Sequence, residues 1–382
     1  MNLAAFRTRQ PALRAGVKVW DATVRAFHWS LVASVAVALA TGLLAPATWI
    51  TVHLVAGTLA AALIVVRVVW GLWGPGTARF ASFVHGPRAL IGHCRELAGG
   101  MARRHLGHNP LGGAMIVLLL VVVVVAVLTG VVALGGELKS GPLAFLTTFD
   151  VGWAMRRVHK LVAYALLGLV ALHVTGVVFE SRRCRENLVR AMVDGHKPAR
   201  PGDVAPPPHV ARPLLAAVVA TALLLTGAGT VYALAQRPGL GAPRAPLDPV
   251  YADECGACHI AYHPSLATAA TWSAVMADLS HHYGDNAALD AATADRIRTY
   301  LLAHSAEHYD TLAAHRLSQT DPADPLRITA SPFWRRMHRR IPASVFASKQ
   351  VVASGNCAAC HHDAASGLFE PSATEIPENA EP

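Results

Sequence analysis

Residues 114–134 read AMIVLLLVVVVVAVLTGVVAL, an uninterrupted apolar run without a charged side chain. A helix needs about 20 consecutive apolar residues to cross the hydrocarbon core of a bilayer. The valine-rich centre would favour a strand in water. In lipid, a lone segment must satisfy its backbone hydrogen bonds internally, which requires a helix. The stretch therefore predicts a membrane-spanning helix.

Four further apolar stretches have a similar length, at roughly 27–45, 50–71, 158–179 and 213–235. Charged residues make up 15% of the chain, well below the roughly 25% of soluble domains. The sequence therefore predicts five spans. The first follows a basic arm and continues as an anchor, so we expect no separate cleavable signal.

The charges between the spans orient the chain. Residues 1–235 contain 22 Lys/Arg against 8 Asp/Glu, whereas residues 236–382 contain 11 against 16. Because the positive charges lie between apolar spans, we expect no nucleic-acid binding. Basic loops stay on the cytoplasmic side, which predicts a multi-pass protein of the bacterial inner membrane with a cytoplasmic N-terminus and a periplasmic C-terminus. The basic residues are Arg7, Arg9, Arg14, Lys18 and Arg25 before the first span, Arg79, Arg88, Arg95, Arg103 and Arg104 before the third, and Arg182, Arg183, Arg185, Arg190, Lys197, Arg200 and Arg212 before the fifth.

A Pro/Gly-rich segment at 237–249 follows the fifth span and marks a linker. It leads to a tail, residues 251–382, with helical patterns at 271–282 and 293–305, for which Asp290 or Thr293 is a possible N-cap. We find no strand-like alternation. The predicted fold is all-α, with a membrane domain at 1–200, a fifth span and linker at 201–250, and a small α-rich domain at 251–382.

The tail contains two C-x-x-C-H motifs, Cys255-Gly256-Ala257-Cys258-His259 and Cys357-Ala358-Ala359-Cys360-His361. Two cysteines at this spacing can form thioethers to one haem, and the adjacent histidine can bind its iron. A zinc site or two disulfides are alternatives, but neither explains a histidine directly after each second cysteine. The motifs predict two covalent c haems. Candidate sixth ligands in the tail are His263, His281, His282, His304, His308, His315, His338, His362, Met276 and Met337.

Four histidines lie inside the predicted spans: His28, His53, His159 and His173. Ionisable residues at membrane depth are costly and usually functional. The last two are fourteen residues apart, so they share a helix face and are separated by ~21 Å along its axis. Their depths pair His28 with His173 and His53 with His159, as expected for two non-covalent b haems held between helices. The second pair lies nearer the tail, so we expect its haem to reduce the c haems.

Other residues in the spans allow two interpretations. The pairs Thr41-Gly42, Thr129-Gly130 and Thr175-Gly176 either allow close helix packing or leave room for a flat macrocycle. Arg67 either extends its charged end toward the membrane surface or pairs with a haem propionate. Cys94 and Cys184, in basic loops, are expected to be free reduced thiols.

Residues 18–200 resemble the prokaryotic cytochrome b561 family, which is related to hydrogenase b-type subunits. The resemblance implies a four-helix bundle with two b haems on four histidines. Lys160 departs from it, because relatives often have Glu after the histidine. The similar stretches are Val19-Trp20-Asp21, Arg25-Ala26-Phe27-His28-Trp29, Arg67 to Gly71, Arg79-Phe80, Gly107-His108-Asn109-Pro110-Leu111-Gly112 and Arg185-Glu186-Asn187-Leu188-Val189.

Residues 250–380 resemble the bacterial dihaem cytochrome c family. The resemblance implies that His282 and His338 are the distal c-haem ligands, with His281 as the alternative to His282, and leaves open which histidine serves which haem. It is carried by the first motif, His282-Tyr283-Gly284-Asp285-Asn286, Arg327-Ile328-Thr329, Trp334, His338 and Asn356 before the second motif.

The expected function is transmembrane electron transfer, from the quinol pool through two b haems and two c haems to a soluble periplasmic haem protein. Quinol oxidation is a possible enzymatic activity. There are two alternatives to this function. In the first, the chain is the membrane subunit of a larger dehydrogenase or hydrogenase. In the second, it is a haem protein that binds oxygen or nitric oxide at an open iron.

Overall fold

The computed structural model describes residues 16–201, 203 and 210–377. The basic residues Arg7, Arg9 and Arg14, and the end of the predicted domain at 382, lie outside this range. The first part of the chain is mainly helical. Its helices are α1 (Ala22–Leu43), α2 (Ile50–Trp73), α3 (Pro87–Ala98), α4 (Pro110–Glu137), α5 (Phe149–Arg183), α6 (Leu188–Asp194) and α7 (Pro213–Ala235).

Within the described residues, five helices are long and apolar enough to cross a membrane: α1, α2, α4, α5 and α7. Each contains or overlaps one of the predicted spans, so the prediction of five membrane helices is confirmed. The longest, α5, has Asp150 in its first turn and Arg182 and Arg183 in its last. The negative charge in the first turn and the positive charges in the last turn interact favourably with the helix dipole and stabilise the helix termini.

The chain divides into two compact units, and the boundaries between them fall within the long helices. Unit 1 contains residues up to Leu39 together with Val55–Val127 and Val162–Gly227; unit 2 contains Ala40–Leu54, Leu128–Leu161 and Ala228–Pro382. Unit 1 holds the basic loops. It also holds a short antiparallel strand pair that sequence patterning does not predict, β1 (Val17–Lys18) with β2 (His196–Lys197). Two residues per strand are too few to give an alternation signal.

Two apolar clusters form the core of unit 1. One contains Val19, Trp20, Val24, Ala78 and Ala191; the other contains Ala60, Ile64, Val123 and Leu166, from α2, α4 and α5. Two loop charges flank the buried carboxylate of Glu186, with Arg104 Nη2 at 2.7 Å and Lys197 Nζ at 3.2 Å. Pairing of this kind offsets the cost of removing Glu186 from water.

Unit 2 contains the described part of the tail, which is built from short helices. They are α8 (Pro249–Gly256), α9 (Ala269–Ala277), α10 (Ala291–Ala303), α11 (Leu312–Arg316), α12 (Pro332–His338) and α13 (Ala343–Phe346). Asp290 caps α10 by accepting bonds from Ala292 and Thr293 N–H groups, which decides between the two candidate N-caps. The first predicted helix is shorter than expected, because Asp278 leaves the helical conformation (φ −139°) before His282.

Two apolar clusters divide the tail. The first contains Tyr251, Ala261, Ala267, Trp272, Ile297 and Leu301, and Cys255 of the first motif packs against it. The second contains Leu266, Ala313 and Leu317, and is covered by Phe333, Trp334 and Phe369. Each cluster adjoins one C-x-x-C-H motif, so the tail has one small core for each predicted c haem.

Candidate functional site

Three pairs of histidine rings have nearly the same separation. The ring centroids are 6.0 Å apart for His53 and His159, 6.1 Å for His259 and His282, and 6.1 Å for His338 and His361. A metal–imidazole bond is about 2 Å long, so two imidazoles on opposite sides of one metal ion have centroids roughly 6 Å apart. All three pairs, which lie in unit 2, therefore have the spacing of axial ligands on one iron.

Each ring of the His53–His159 pair has a Thr-Gly step from a neighbouring helix behind it. The Thr41 and Thr129 hydroxyls lie 3.2 Å from Nδ1 of His53 and His159 respectively. A Cβ added at Gly42 would lie 2.9 Å from His53 Cε1, and one added at Gly130 would lie 3.1 Å from His159 Cε1. Threonine thus orients the ring and leaves Nε2 for a metal, while glycine makes the space for it.

The third Thr-Gly step is different. Thr175 donates to the Ala171 carbonyl of its own helix, and a Cβ on Gly176 would meet nothing within 4 Å. The three Thr-Gly steps, for which the sequence left two interpretations open, therefore do not all have the same surroundings. The first two steps support a histidine pair and fit a macrocycle held there, whereas the third contacts no histidine.

His28 and His173 lie in unit 1, close enough to interact electrostatically. The His28 ring meets Trp29 edge-on at 5.0 Å, and its buried Nδ1 has no hydrogen-bond partner. A buried polar atom without a partner is costly, so this ring retains bonding capacity that the protein itself does not use. The depth pairing read from the sequence agrees with this proximity.

The first tail site depends on a tight turn. His282 follows a 3₁₀ turn, and Tyr283 and Gly284 both have positive φ, at 52° and 107°. The Gly284 angle strongly favours a residue without a Cβ, which explains its place in the motif. The turn stacks His282 against His259 with 22° between the ring planes. His281 instead points away, exposed, with Nδ1 2.8 Å from Asp278 Oδ1.

The second tail site is held from both sides. His338 ends α12, stacks on Trp334 at 4.4 Å and has Nδ1 2.9 Å from the Trp334 carbonyl. His361 has Nδ1 3.1 Å from the Thr374 hydroxyl and packs against Phe369 at 5.2 Å. With each Nδ1 occupied, Nε2 is the nitrogen left to bind a metal. The structure thus pairs His282 with the first motif and His338 with the second.

The cysteines are in the state that covalent attachment requires. None of the six forms a disulfide, and burial raises the pKa of the Cys255 and Cys357 thiols to about 11. In the described part of the chain, no group of three or more His, Cys, Asp or Glu side chains could hold a metal ion.

The remaining tail histidines have other partners. His263 is buried, caps the 3₁₀ turn Pro264–Leu266 and contacts the Ser265 hydroxyl at 2.8 Å; burial, and to a lesser degree His304, lowers its pKa to about 4. His304 Nδ1 lies 3.0 Å from the Tyr300 carbonyl, and His315 Nε2 lies 2.9 Å from Asp310 Oδ1. None of these three forms a ring pair with a motif histidine in the structure.

Arg67 is buried in unit 1, where its guanidinium donates to the Ala78 carbonyl at 3.1 Å and lies over the Phe80 ring at 4.8 Å. The protein therefore encloses this side chain, and its guanidinium contacts the segment that follows α2. A second buried group went unrecognised in the sequence. His108 packs between Trp20 (4.5 Å) and Phe83 (5.1 Å), and its Nδ1 has no partner. Burial, reinforced by Arg67, lowers its pKa to about 3, so it is neutral.

Comparison with known proteins agrees with both resemblances. Residues 19–195 match the family model for prokaryotic cytochrome b561, and residues 251–369 match the model for dihaem cytochrome c. The chain is similar to a solved diheme cytochrome c from Shewanella baltica, with 33% identity, 35% of this chain and 96% of that chain covered, and a TM-score of 0.29. It is also similar to a diheme cytochrome c from Rhodobacter sphaeroides, with 40% identity, 32% and 96% coverage, and a TM-score of 0.28. A comparison with curated proteins finds no significant match.

The distal assignment can be tested with single substitutions. His282→Ala should turn the haem of the first motif high-spin and able to bind carbon monoxide, and His338→Ala should do the same to the haem of the second motif. His281→Ala is the matched control and should leave both c haems low-spin. Optical and electron paramagnetic resonance spectra of the purified variants measure the outcome; two low-spin c haems in His282→Ala would refute the pairing.

The Thr-Gly steps make a separate prediction. Thr41→Val and Thr129→Val remove the hydroxyl at Nδ1 without changing side-chain size, and loss of such a supporting bond weakens metal binding by roughly 10–100-fold. Each variant should lose b haem faster than wild type during dilution into apomyoglobin. Thr175→Val, the control, should retain it at the wild-type rate. Equal retention in all three would contradict the role of the hydroxyls.

Proposed function

We propose that this chain, which joins a prokaryotic cytochrome b561 region (19–195) to a domain of the dihaem cytochrome c family (251–369), carries electrons from the quinol pool through two b haems and two c haems to a soluble haem protein. The two regions and the five long apolar helices make it a membrane electron-transfer haem protein. The donor, the acceptor and the number of haems belong to the proposal.

The observation that carries the proposal is the set of three histidine pairs with axial spacing, which lie in one unit with both C-x-x-C-H motifs. His53 with His159 and His28 with His173 would hold the b haems. Cys255, Cys258, Cys357 and Cys360 would attach the c haems, with His259 and His282, and His361 and His338, as axial ligands. Bound haem supplies one-electron chemistry; the protein supplies ligands, burial and spacing.

The surroundings of each pair adapt the histidines to this task. Burial lowers the pKa of His361 and of His282, helped at His361 by His338 and at His282 by His259. Neutral imidazole is the form that binds iron. Hydrogen bonds at Nδ1 of His53, His159, His338 and His361 restrict ring rotation. Arg67, buried among aromatic rings, is the proposed partner of a propionate on the His28–His173 side.

The membrane orientation follows from charge. In the described residues, the segment between α2 and α4 and the segment between α5 and α7 contain most of the loop arginines. The positive-inside rule assigns these segments to the cytoplasm, so the tail, after the fifth span, would lie in the periplasm of a bacterial inner membrane. Covalent c-haem attachment agrees with that side.

The geometry weighs against an open iron. Each motif histidine faces a second imidazole at 6.1 Å, so two occupied axial positions would leave none for oxygen or nitric oxide. Membership in a larger dehydrogenase complex is a separate alternative, and a catalytic subunit that co-purifies with the chain would favour it.

Haem stoichiometry tests the number of cofactors. Four membrane histidines and two covalent motifs predict two haems that acid acetone extracts and two that stay with the polypeptide. The pyridine haemochrome assay on both fractions measures the ratio. A ratio of retained to extracted haem far from one would contradict the four-haem proposal.

The route can be tested at His159. His159→Ala should remove one b haem and stop reduction of the c haems by quinol, while dithionite still reduces them, because the tail is intact. His196→Ala, a change in an exposed residue of strand β2, is the control and should behave as wild type. Stopped-flow spectra of the c-haem α band follow the reaction. Wild-type reduction by quinol in a His159→Ala protein that lacks the haem would overturn the route.

A further inference from the structure

Asp310 of the tail is bonded from three directions within unit 2. Its Oδ2 accepts from Lys139 Nζ at 2.7 Å and from the Phe149 backbone N–H at 2.8 Å, and its Oδ1 lies 2.9 Å from His315 Nε2. Lys139 belongs to the connection between α4 and α5, and Phe149 is the first residue of α5. We call Lys139, Phe149, Asp310 and His315 the docking cluster. It joins the tail to the end of the membrane helices.

The docking cluster is buried on the side of the membrane helices and partly exposed on the side of the tail, where the Asp310 and His315 side chains are 26% and 35% exposed. The Lys139 side chain is 2% exposed and Phe149 is 1% exposed. The Phe149 ring stacks on His315 at 4.4 Å. A buried pair of charges loses much more than an exposed pair when one partner is removed, because the other charge stays desolvated. The contact therefore has the energetics of a fixed junction.

The backbone after α7 follows the same junction. Leu240 donates to the Ala144 carbonyl at 2.8 Å, and Asp310 donates to the Gly241 carbonyl at 2.9 Å. Gly241 has φ +64°, and a Cβ there would lie 2.5 Å from Asp310 Cβ. Only glycine permits this approach, so the linker is part of the docked arrangement.

The docking cluster adjoins the second-motif side of the tail. Asp310 directly precedes α11, and Ala313 of α11 lies in the cluster that Trp334 and Phe369 cover. Trp334 stacks on His338, and Phe369 packs on His361. A second contact reaches the same site, since the 3₁₀ turn Pro371–Ala373 packs against the turn Ala47–Trp49 before α2. Thr374, which ends the first of these turns, bonds His361.

The first-motif site is built on the other core of the tail, and Tyr262 lies between the two sites. The Tyr262 ring is 5.3 Å from that of His259, and its hydroxyl donates to the Gly355 carbonyl at 2.7 Å, two residues before Cys357. The sites thus have an order, from the membrane helices to the second motif, then through Tyr262 to the first.

We propose that the second-motif site, with His338 and His361, is where electrons enter the tail, and that Asp310 is the positioning residue that docks this side onto the membrane helices. The inference rests on the proposed function. His338 and His361 would hold the haem that receives the electron, and bound haem would supply the one-electron chemistry: one electron would leave the donor haem and enter the acceptor haem, with no bond or proton moved. The first motif is then the outlet to the soluble acceptor.

The docking is tested with Asp310→Asn and Lys139→Met, and with Asp324→Asn as control, since Asp324 forms an exposed pair with Arg327 inside the tail. Hydrogen exchange of the peptide containing Phe149 should accelerate about tenfold in the first two variants, because its N–H loses its acceptor or the junction opens. Quinol should reduce the c haems roughly tenfold more slowly or worse. The midpoint potentials and low-spin spectra of the c haems should not change, which separates misplacement from a damaged domain. Wild-type exchange and reduction in both variants would overturn the docking role.

The order is tested by removing one c haem at a time. The double variant Cys255→Ala/Cys258→Ala removes the first-motif haem, and quinol should still reduce the second-motif haem at the wild-type rate. The double variant Cys357→Ala/Cys360→Ala removes the second-motif haem, and quinol should reduce the first-motif haem roughly tenfold more slowly or worse. Dithionite reduction and a low-spin spectrum of the remaining haem show that the domain is intact. The reverse pattern, or equal rates, would overturn the assigned entry. If quinol fails to reduce even wild type, the proposed function fails, while the exchange experiment still decides the docking.

Discussion

The constraint on which the proposed sites depend is the distance between two imidazole rings that could hold one metal ion between them. Two imidazoles on opposite faces must have centroids roughly 6 Å apart, and three pairs in unit 2 have 6.0–6.1 Å. In the membrane, α2 and α5 supply one ring each, so helix packing sets the gap. In the tail, the second ring comes from a turn at His282 and from a helix end at His338. Three kinds of local structure therefore give nearly the same distance between ring centroids.

A gap of this size is useful only if the rings cannot rotate. Different acceptors and donors hold Nδ1 in each case: hydroxyls of Thr41 and Thr129 in the membrane, the Trp334 carbonyl for His338 and the Thr374 hydroxyl for His361. A hydroxyl is a suitable partner for Nδ1 in a membrane helix, because the backbone carbonyls there already accept hydrogen bonds within the helix. The short helices of the tail have carbonyls without intrahelical partners at their C-terminal ends. His338 lies at such an end, and its Nδ1 lies near the Trp334 carbonyl.

Much of this arrangement could be predicted from the sequence, and the reason is locality. A charge-free apolar run and a C-x-x-C-H motif are each readable within a short window, so the sequence predicts the five spans, which the long apolar helices confirm, and the two c-haem motifs. The identity of His282 rested on a resemblance, and its pairing with the first motif depends on a fold that brings residues 259 and 282 together. Asp310 has no local signal, and His108 stands only within a stretch that resembles a family, because the significance of both comes from contacts with residues far away in the chain. The end of α9 was misjudged because apolar periodicity continues past Asp278, where the backbone turns.

The Pro/Gly-rich segment after α7 shows how composition alone misleads about mechanics. Its residues are typical of a flexible tether, whose reach would set how near the tail comes to the membrane helices. In the structure the same glycines serve close approach: Gly239 lies against Lys139, and Gly241 lies against Asp310. Chain length then has little influence on the position of the tail. The ion pair of buried Lys139 with partly exposed Asp310 and the backbone bond from Asp310 to Gly241 set it instead, and electron transfer over such contacts would not depend on a diffusive search by a tethered domain.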